Sequence, residues 1–162
     1  MPSRFRPDRR RLLLGAGLAC AAPLVRAQSL SAPPTAPAAG EWPAIPALAA
    51  LLAGRTLRPG RVTLDIPKLA DNGNSVPFSI AVDSPMTDGD RVLAIHLFSE
   101  RNPRPRMFSI ALGPDIARAQ LSTRVRLAGT QRIVGVAEMA DGTLWGAMTE
   151  VIVTQSACTD DV

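Results

Sequence analysis

Histidine is almost missing from this chain of 162 residues: His96 stands alone, and the two cysteines, Cys20 and Cys158, are far apart. A hydrolytic triad needs a base beside its nucleophile, and a zinc centre needs three or four clustered Cys, His or carboxylate ligands. Neither pattern is available. His96 lies in "VLAIHLF", alternating with Ala94 and Phe98, and reads as a structural residue of a strand. Glycine-rich phosphate loops and dinucleotide fingerprints are also absent. Met86, Met107, Met139 and Met148 lack histidine neighbours and read as packing residues, not copper ligands. The carboxylate pairs Asp88/Asp90 and Asp160/Asp161 fall on a turn and a tail, where solvation suits them better than general acid–base work in a shielded cleft. No enzyme activity, cofactor or metal is expected.

A basic partner-binding surface is lacking too, once the opening segment is set aside. "RPDRRRLLLGAGLACAAPLVRAQS" has a basic start, an apolar stretch over Leu12 to Ala22 and a small-residue cleavage pattern at Val25-Arg26-Ala27. It reads as a secretory signal over residues 1–27, and Arg9-Arg10-Arg11-Leu12-Leu13 suits the twin-arginine route. The segment is too short and too rich in Gly and Ala for a permanent membrane span. A periplasmic location is expected. From Gln28 onward 11 arginines and Lys68 face 13 acidic residues, so the formal charge of +4 belongs to the leader. "RNPRPR" and "TRVRL" carry no interleaved aromatics for base stacking. Neither nucleic acid nor a membrane is an expected partner.

Removal of the leader would take Cys20 with it. Cys158 is then left in an oxidising compartment with no intramolecular partner, and is either reactive or joined to another chain.

What is present is β pattern. After a Pro/Ala-rich tether (28–43), "AIPALAALLAG" predicts one short helix ended by Gly54. Strands are predicted near Arg61–Ile66, Val76–Val82, Arg91–Phe98, Met107–Leu112, Gln120–Val125, Gln131–Met139 and Leu144–Val153, with breakers such as Asp71-Asn72-Gly73-Asn74, Asn102-Pro103 and Asp141-Gly142 between them. The Asp-Gly pair predicts a tight hairpin. The expected fold class is all-β: an immunoglobulin-like antiparallel sandwich with one short N-terminal helix, over residues 44–154, followed by a flexible tail over 155–162. Its predicted core is Ile66, Val76, Ile80, Val92, Ile95, Leu97, Phe108, Ile110, Val125, Val134, Val136 and Trp145.

The order and spacing of several short motifs then carry a resemblance. Asp71-Asn72-Gly73 is followed by Val76-Pro77, then Asn102-Pro103, Ser122-Thr123-Arg124-Val125-Arg126, and Ala137-Glu138 ahead of Asp141-Gly142. From about Ala44 to Cys158 the chain resembles SoxY, the sulfur-carrier subunit of bacterial thiosulfate oxidation. The resemblance implies a non-enzymatic sandwich that pairs with a SoxZ-like subunit as a heterodimer. It further implies that Cys158 holds thiosulfate-derived sulfur covalently, first as a cysteine S-thiosulfonate, and presents it to separate periplasmic enzymes. The tail departs from the family's Gly-Gly-Cys-Gly-Gly, reading Gln155-Ser156-Ala157-Cys158-Thr159-Asp160-Asp161. Thr159 is stiffer than glycine, and the two aspartates would raise the thiol pKa. An exported immunoglobulin-like interaction module, or a SoxY-like subunit with other cargo, is the alternative reading.

Overall fold

The computed structural model describes residues 42–157, all within one compact unit. The expected signal (1–27), most of the expected tether and Cys158 with the residues after it lie outside the described residues. In chain order the elements are α1 (Pro46–Leu52), β1 (Leu57–Pro59), β2 (Val62–Asp65), β3 (Leu69–Asn72), β4 (Val76–Val82), β5 (Val92–Ser99), β6 (Arg106–Ala111), β7 (Gln120–Val125), β8 (Gln131–Met139) and β9 (Leu144–Gln155).

Two sheets face each other. The larger runs β1-β9-β8-β5-β6, with β3 also paired to β9, and the smaller runs β2-β4-β7. The seven predicted strands form with their main pairings antiparallel. Two further short strands were not foreseen, and both run parallel to β9: β1 pairs at Leu57↔Leu144 and β3 at Leu69↔Ile152. They have too few residues to show an alternation, and one contains Pro59. The outer edge of β9 supplies the backbone partners that hold them extended.

The period of two is clearest in β4, where Val76, Phe78, Ile80 and Val82 are buried and Pro77 is exposed. These side chains meet Ile95, Leu97, Ile133, Ala137 and Val151 from the facing sheet to form the sandwich core. In β8 the pattern breaks down, because Ile133 through Ala137 are buried without interruption. The reason is a second layer. Val134, Val136, Phe98 and Leu144 point away from the sandwich and are covered by Ile45 and Leu48 at α1, with Leu57 and Trp42. A strand buried on both faces reads as a continuous apolar run.

α1 has Pro46 in its first turn and no side-chain N-cap. At its end Ala53 takes the left-handed capping conformation, with φ of 47°, and Gly54 follows with a positive φ of 83°. A seven-residue helix is marginal alone, so its packing holds it. Arg55 adds a tie: its side chain donates to the carbonyls of Leu51 and Leu52 and to Glu138 Oε1 on β8 at 2.9 Å.

Three core expectations need correction. Ile110 is 37 % exposed, while Phe108 and Trp145 are only partly buried. Phe108 and Ile110 lie on β6, an edge strand with a neighbour on one side only. Trp145 sits near the start of β9 under the guanidinium groups of Arg58 and Arg61, 5.8 and 5.6 Å from its ring. The expected tether also ends sooner: Pro43 is buried and Trp42 donates its indole N–H to the Leu57 carbonyl. The Asp141-Gly142 hairpin forms as predicted. Gly142 has φ of 79°, and Asp141 Oδ1 accepts from the Thr143 amide and hydroxyl.

The helix layer has a measurable weight. Leu48 is 2 % exposed. Leu48→Ala is expected to lower unfolding stability by about 2–5 kcal/mol, and exposed Ile116→Ala by less than about 0.5 kcal/mol, in urea unfolding.

Candidate functional site

The path to Cys158 is β9. Its 12 residues pair with β8 from Leu144 to Val151, while β3 pairs with its last third up to Asn72↔Gln155. Gln155, expected as the first residue of a free tail, is therefore the last residue of a strand. The reason is that β3 continues the ladder past the point where the apolar pattern of β9 fades.

The ladder does not stop at Gln155. Gly73 N–H donates to the Gln155 carbonyl at 2.7 Å, Leu127 N–H donates to the Gly73 carbonyl at 2.8 Å, and Ala157 N–H donates to the Leu127 carbonyl at 3.0 Å. Ala157 is only 6 % exposed and Leu127 is fully buried. Gly73 must be glycine for steric reasons: a Cβ there would meet the Leu127 carbonyl oxygen, come within 2.9 Å of the Ala157 nitrogen and within 3.0 Å of Val153 Cγ1. The main chain is thus pinned up to the residue before Cys158.

The loop that receives Ala157 is itself braced. Asn102 Oδ1 accepts from Ala128 N–H at 3.0 Å and from Gln131 Nε2 at 2.9 Å, while its amide donates to the Arg126 carbonyl at 2.8 Å. Gln131, 3 % exposed, accepts from Arg101 N–H through Oε1. Thr130 accepts from Val153 N–H through its hydroxyl. The sequence marks Asp71-Asn72-Gly73 and Asn102-Pro103 as turn signals, yet gives no hint that both converge on the end of β9. Each contact joins residues at least 24 apart in the chain for Asn102.

Other expected positions fall elsewhere. Asp90 is held by Arg61 Nη2, 2.7 Å from both carboxylate oxygens, an ion pair and not an acid–base couple with Asp88. Met139 is buried in the sandwich core, Met86 and Met107 pack on its margin, and Met148 packs on the α1 side. Arg124 donates to Ser75 and Arg101 to the Thr130 carbonyl, consistent with arginines on strand and loop surfaces. Among the described residues no group of three or more His, Cys, Asp or Glu is placed to hold a metal ion. No helix among them is long and apolar enough to cross a membrane.

His96 lies on the face of β5 turned away from the sandwich. Its Nδ1 is 2.8 Å from Ser109 Oγ, and its Nε2, buried without a hydrogen bond, is 3.7 Å from Glu138 Oε2. Burial lowers the imidazole pKa from its ordinary 6.5; Glu138 opposes this and Arg106 assists it. The neutral form is therefore favoured in the fold. Its contribution to stability is complete above the unfolded pKa and is lost as pH falls below it.

Pinned strand and braced loop define a class first: an immunoglobulin-type β-sandwich whose last strand is held by neighbouring loops to its end. The sequence model described as sulfur oxidation protein SoxY matches residues 48–158, and the chain belongs to the SoxY family. The sulfur carrier protein SoxY from Chlorobium limicola f thiosulfatophilum superposes with a TM-score of 0.56 at 28% identity, covering 67% of this chain and 89% of that one. The superoxide reductase (neelaredoxin) from Ignicoccus hospitalis gives a TM-score of 0.52 at 16% identity, over 58% of this chain and 80% of that one. The superoxide reductase from Nanoarchaeum equitans gives 0.50 at 12%, over 59% and 100%. These two likenesses are of fold alone. No curated protein matches the sequence.

Two outcomes follow from the geometry. Asn102→Ala strands the Gln131 amide and two backbone groups, and should cost about 1–3 kcal/mol, read by urea unfolding. Lowering the pH from about 8 to about 5 should reduce the unfolding midpoint of the wild type, and His96→Gln should flatten that slope.

Proposed function

We propose that this protein is a periplasmic sulfur carrier that holds thiosulfate-derived sulfur covalently on Cys158 and presents it to the enzymes of sulfur oxidation. The observation that carries the reading is the family match, whose last matched residue is Cys158 itself. The similarity to the sulfur carrier protein of Chlorobium supports the same role.

The chemistry needs little from the chain beyond one thiol. A thiolate is the reacting species, and forming the S–S bond between Cys158 Sγ and the outer sulfur of thiosulfate releases the thiol proton and two electrons. A partner oxidoreductase takes up those electrons, and other partner enzymes oxidise and hydrolyse the bound sulfur. The carrier keeps its cargo from diffusing away between steps. Pairing with a SoxZ-like sandwich belongs to this proposal, and the edge strands β6 and β7 have unpaired backbone groups that a partner would cover.

The tail's Thr159, Asp160 and Asp161 in place of glycines favour a second reading, a SoxY-like subunit with other cargo or an interaction module in which Cys158 carries nothing. Intact mass separates the two. Protein taken from thiosulfate-grown cells should show a thiosulfate or sulfane adduct that reductant removes and that Cys158→Ser abolishes. A Cys158→Ser strain that oxidises thiosulfate as fast as its parent would overturn the carrier reading.

A further inference from the structure

We propose that one end of the sandwich, where the β5–β6 and β7–β8 loops meet, is a docking surface for an acidic protein face, built from Arg101, Arg104, Arg106, Arg124 and Arg126. It stands independently of the sulfur-carrier reading.

The stretches "RNPRPR" and "TRVRL" are separate in the chain, and each alone reads as solvated arginine. Folding brings them together. Asn102 bonds through its side chain to the Arg126 carbonyl and the Ala128 amide, and Arg101 N–H donates to Gln131 Oε1, so the two loops lie against each other. Across residues 71–76, 99–107 and 123–132, six arginines meet two carboxylates, Asp71 and Glu100. Glu100 is taken by Arg132 at 2.6 and 3.0 Å, and Arg132 also stands opposite Glu150 in the β8–β9 ladder. The other five arginines form no ion pair among the described residues. At the opposite end the charges balance: residues 53–61, 83–91, 112–119 and 138–143 hold five arginines and six carboxylates.

Three of the five guanidinium groups are already placed. Arg101 Nη1 donates to the Thr130 carbonyl at 3.2 Å, Arg124 Nε donates to Ser75 Oγ at 2.6 Å, and Arg106 lies 5.7 Å from the centre of the Phe98 ring. Each of these partners is neutral, so the group is held without losing its charge. Pro103 and Pro105 flank Arg104 and restrict the backbone around it. Ordering on association therefore costs little, and the guanidinium forks keep donors for paired hydrogen bonds to carboxylates. Gathered like charges repel one another, and a partner's carboxylates would relieve that repulsion.

The spread of the array identifies the kind of partner. Arg124 alternates with Val125, which faces the sandwich core, so it lies on the outer face of the smaller sheet. Arg106 lies over Phe98, on the α1 side of the larger sheet. Facing sheets pack about 10 Å apart, so the charges span the thickness of the sandwich, too wide for one small oxyanion and of the scale of a protein face. The aromatic rings near this end, Phe78, Phe98 and Phe108, are buried or partly buried and offer no platform for stacking bases. A complementary acidic face would be steered onto this end before contact.

The test measures binding of the full chain to fluorescent poly-L-glutamate by anisotropy, at about 50 and about 300 mM salt. Binding is expected at the lower salt and should weaken at the higher. Arg104→Glu/Arg126→Glu is expected to weaken it at least about tenfold, while Arg58→Glu/Arg118→Glu, which changes the net charge equally at the opposite end, should stay within about twofold of the parent. The first pair of residues is exposed. Unchanged urea unfolding midpoints show that both variants are folded, and Arg104→Gln/Arg126→Gln, expected to weaken binding at least about threefold, takes the place of the charge reversal if that variant is not. No binding by the parent, or equal loss in the two double variants, would sink the proposal. Tighter binding to duplex DNA or to phosphatidylglycerol vesicles at the same salt would rule out a protein face as the partner.

Discussion

The backbone ladder along β9 is the constraint from which the rest of the molecule is arranged. Its inner edge is taken by β8 over eight registered residue pairs, and its outer edge is divided between β1 near the start and β3 near the end. A strand paired on both edges cannot slip by one residue without turning all its side chains to the opposite face. Val151 and Val153 are therefore held toward the sandwich core and Ile152 toward solvent. The same ladder continues past the end of the strand. Gly73 and Leu127 extend it by two residues, and Cys158 follows immediately.

The second structural decision is that one sheet is buried on both faces. Phe98, Val134, Val136 and Leu144 would form an apolar patch on the larger sheet if α1 and Trp42 did not lie over them. Burial of such side chains contributes about 1.5–3 kcal/mol each, which far exceeds the exposed Arg55–Glu138 pair beside them. The helix in turn has no independent stability to contribute. Sheet and helix are thus mutually dependent, and the polar group enclosed at their margin, His96, is kept neutral by the burial that results.

How much of this was legible depends on how local each signal is. β4, β7 and β8 match their predicted bounds, because alternation or a continuous apolar run is written into each segment itself and Gly, Asn or Pro punctuates both ends. β1 and β3 were missed because three or four residues have no period to read, and their extended form is imposed by the edge they pair with. Ile110 and Phe108 have the right spacing for a core, but a pattern shows which face a residue is on and not whether its strand ends up at the edge of the sheet. The resemblance to SoxY, resting on order and spacing of motifs, agrees with the family model that matches residues 48–158.

The sequence by itself determined the all-β class, most of the strands, the tight hairpin at Asp141-Gly142 and the family, since each depends on residues close together in the chain or on their order. Tertiary structure alone decided that α1 covers its own sheet, that His96 is enclosed beside Glu138, and that Asn102, Gly73 and Leu127 converge on Ala157. Those contacts join segments separated by tens of residues. Their existence is a property of sheet topology, in which a glycine chosen for a turn becomes, through packing, the floor beneath the end of the last strand.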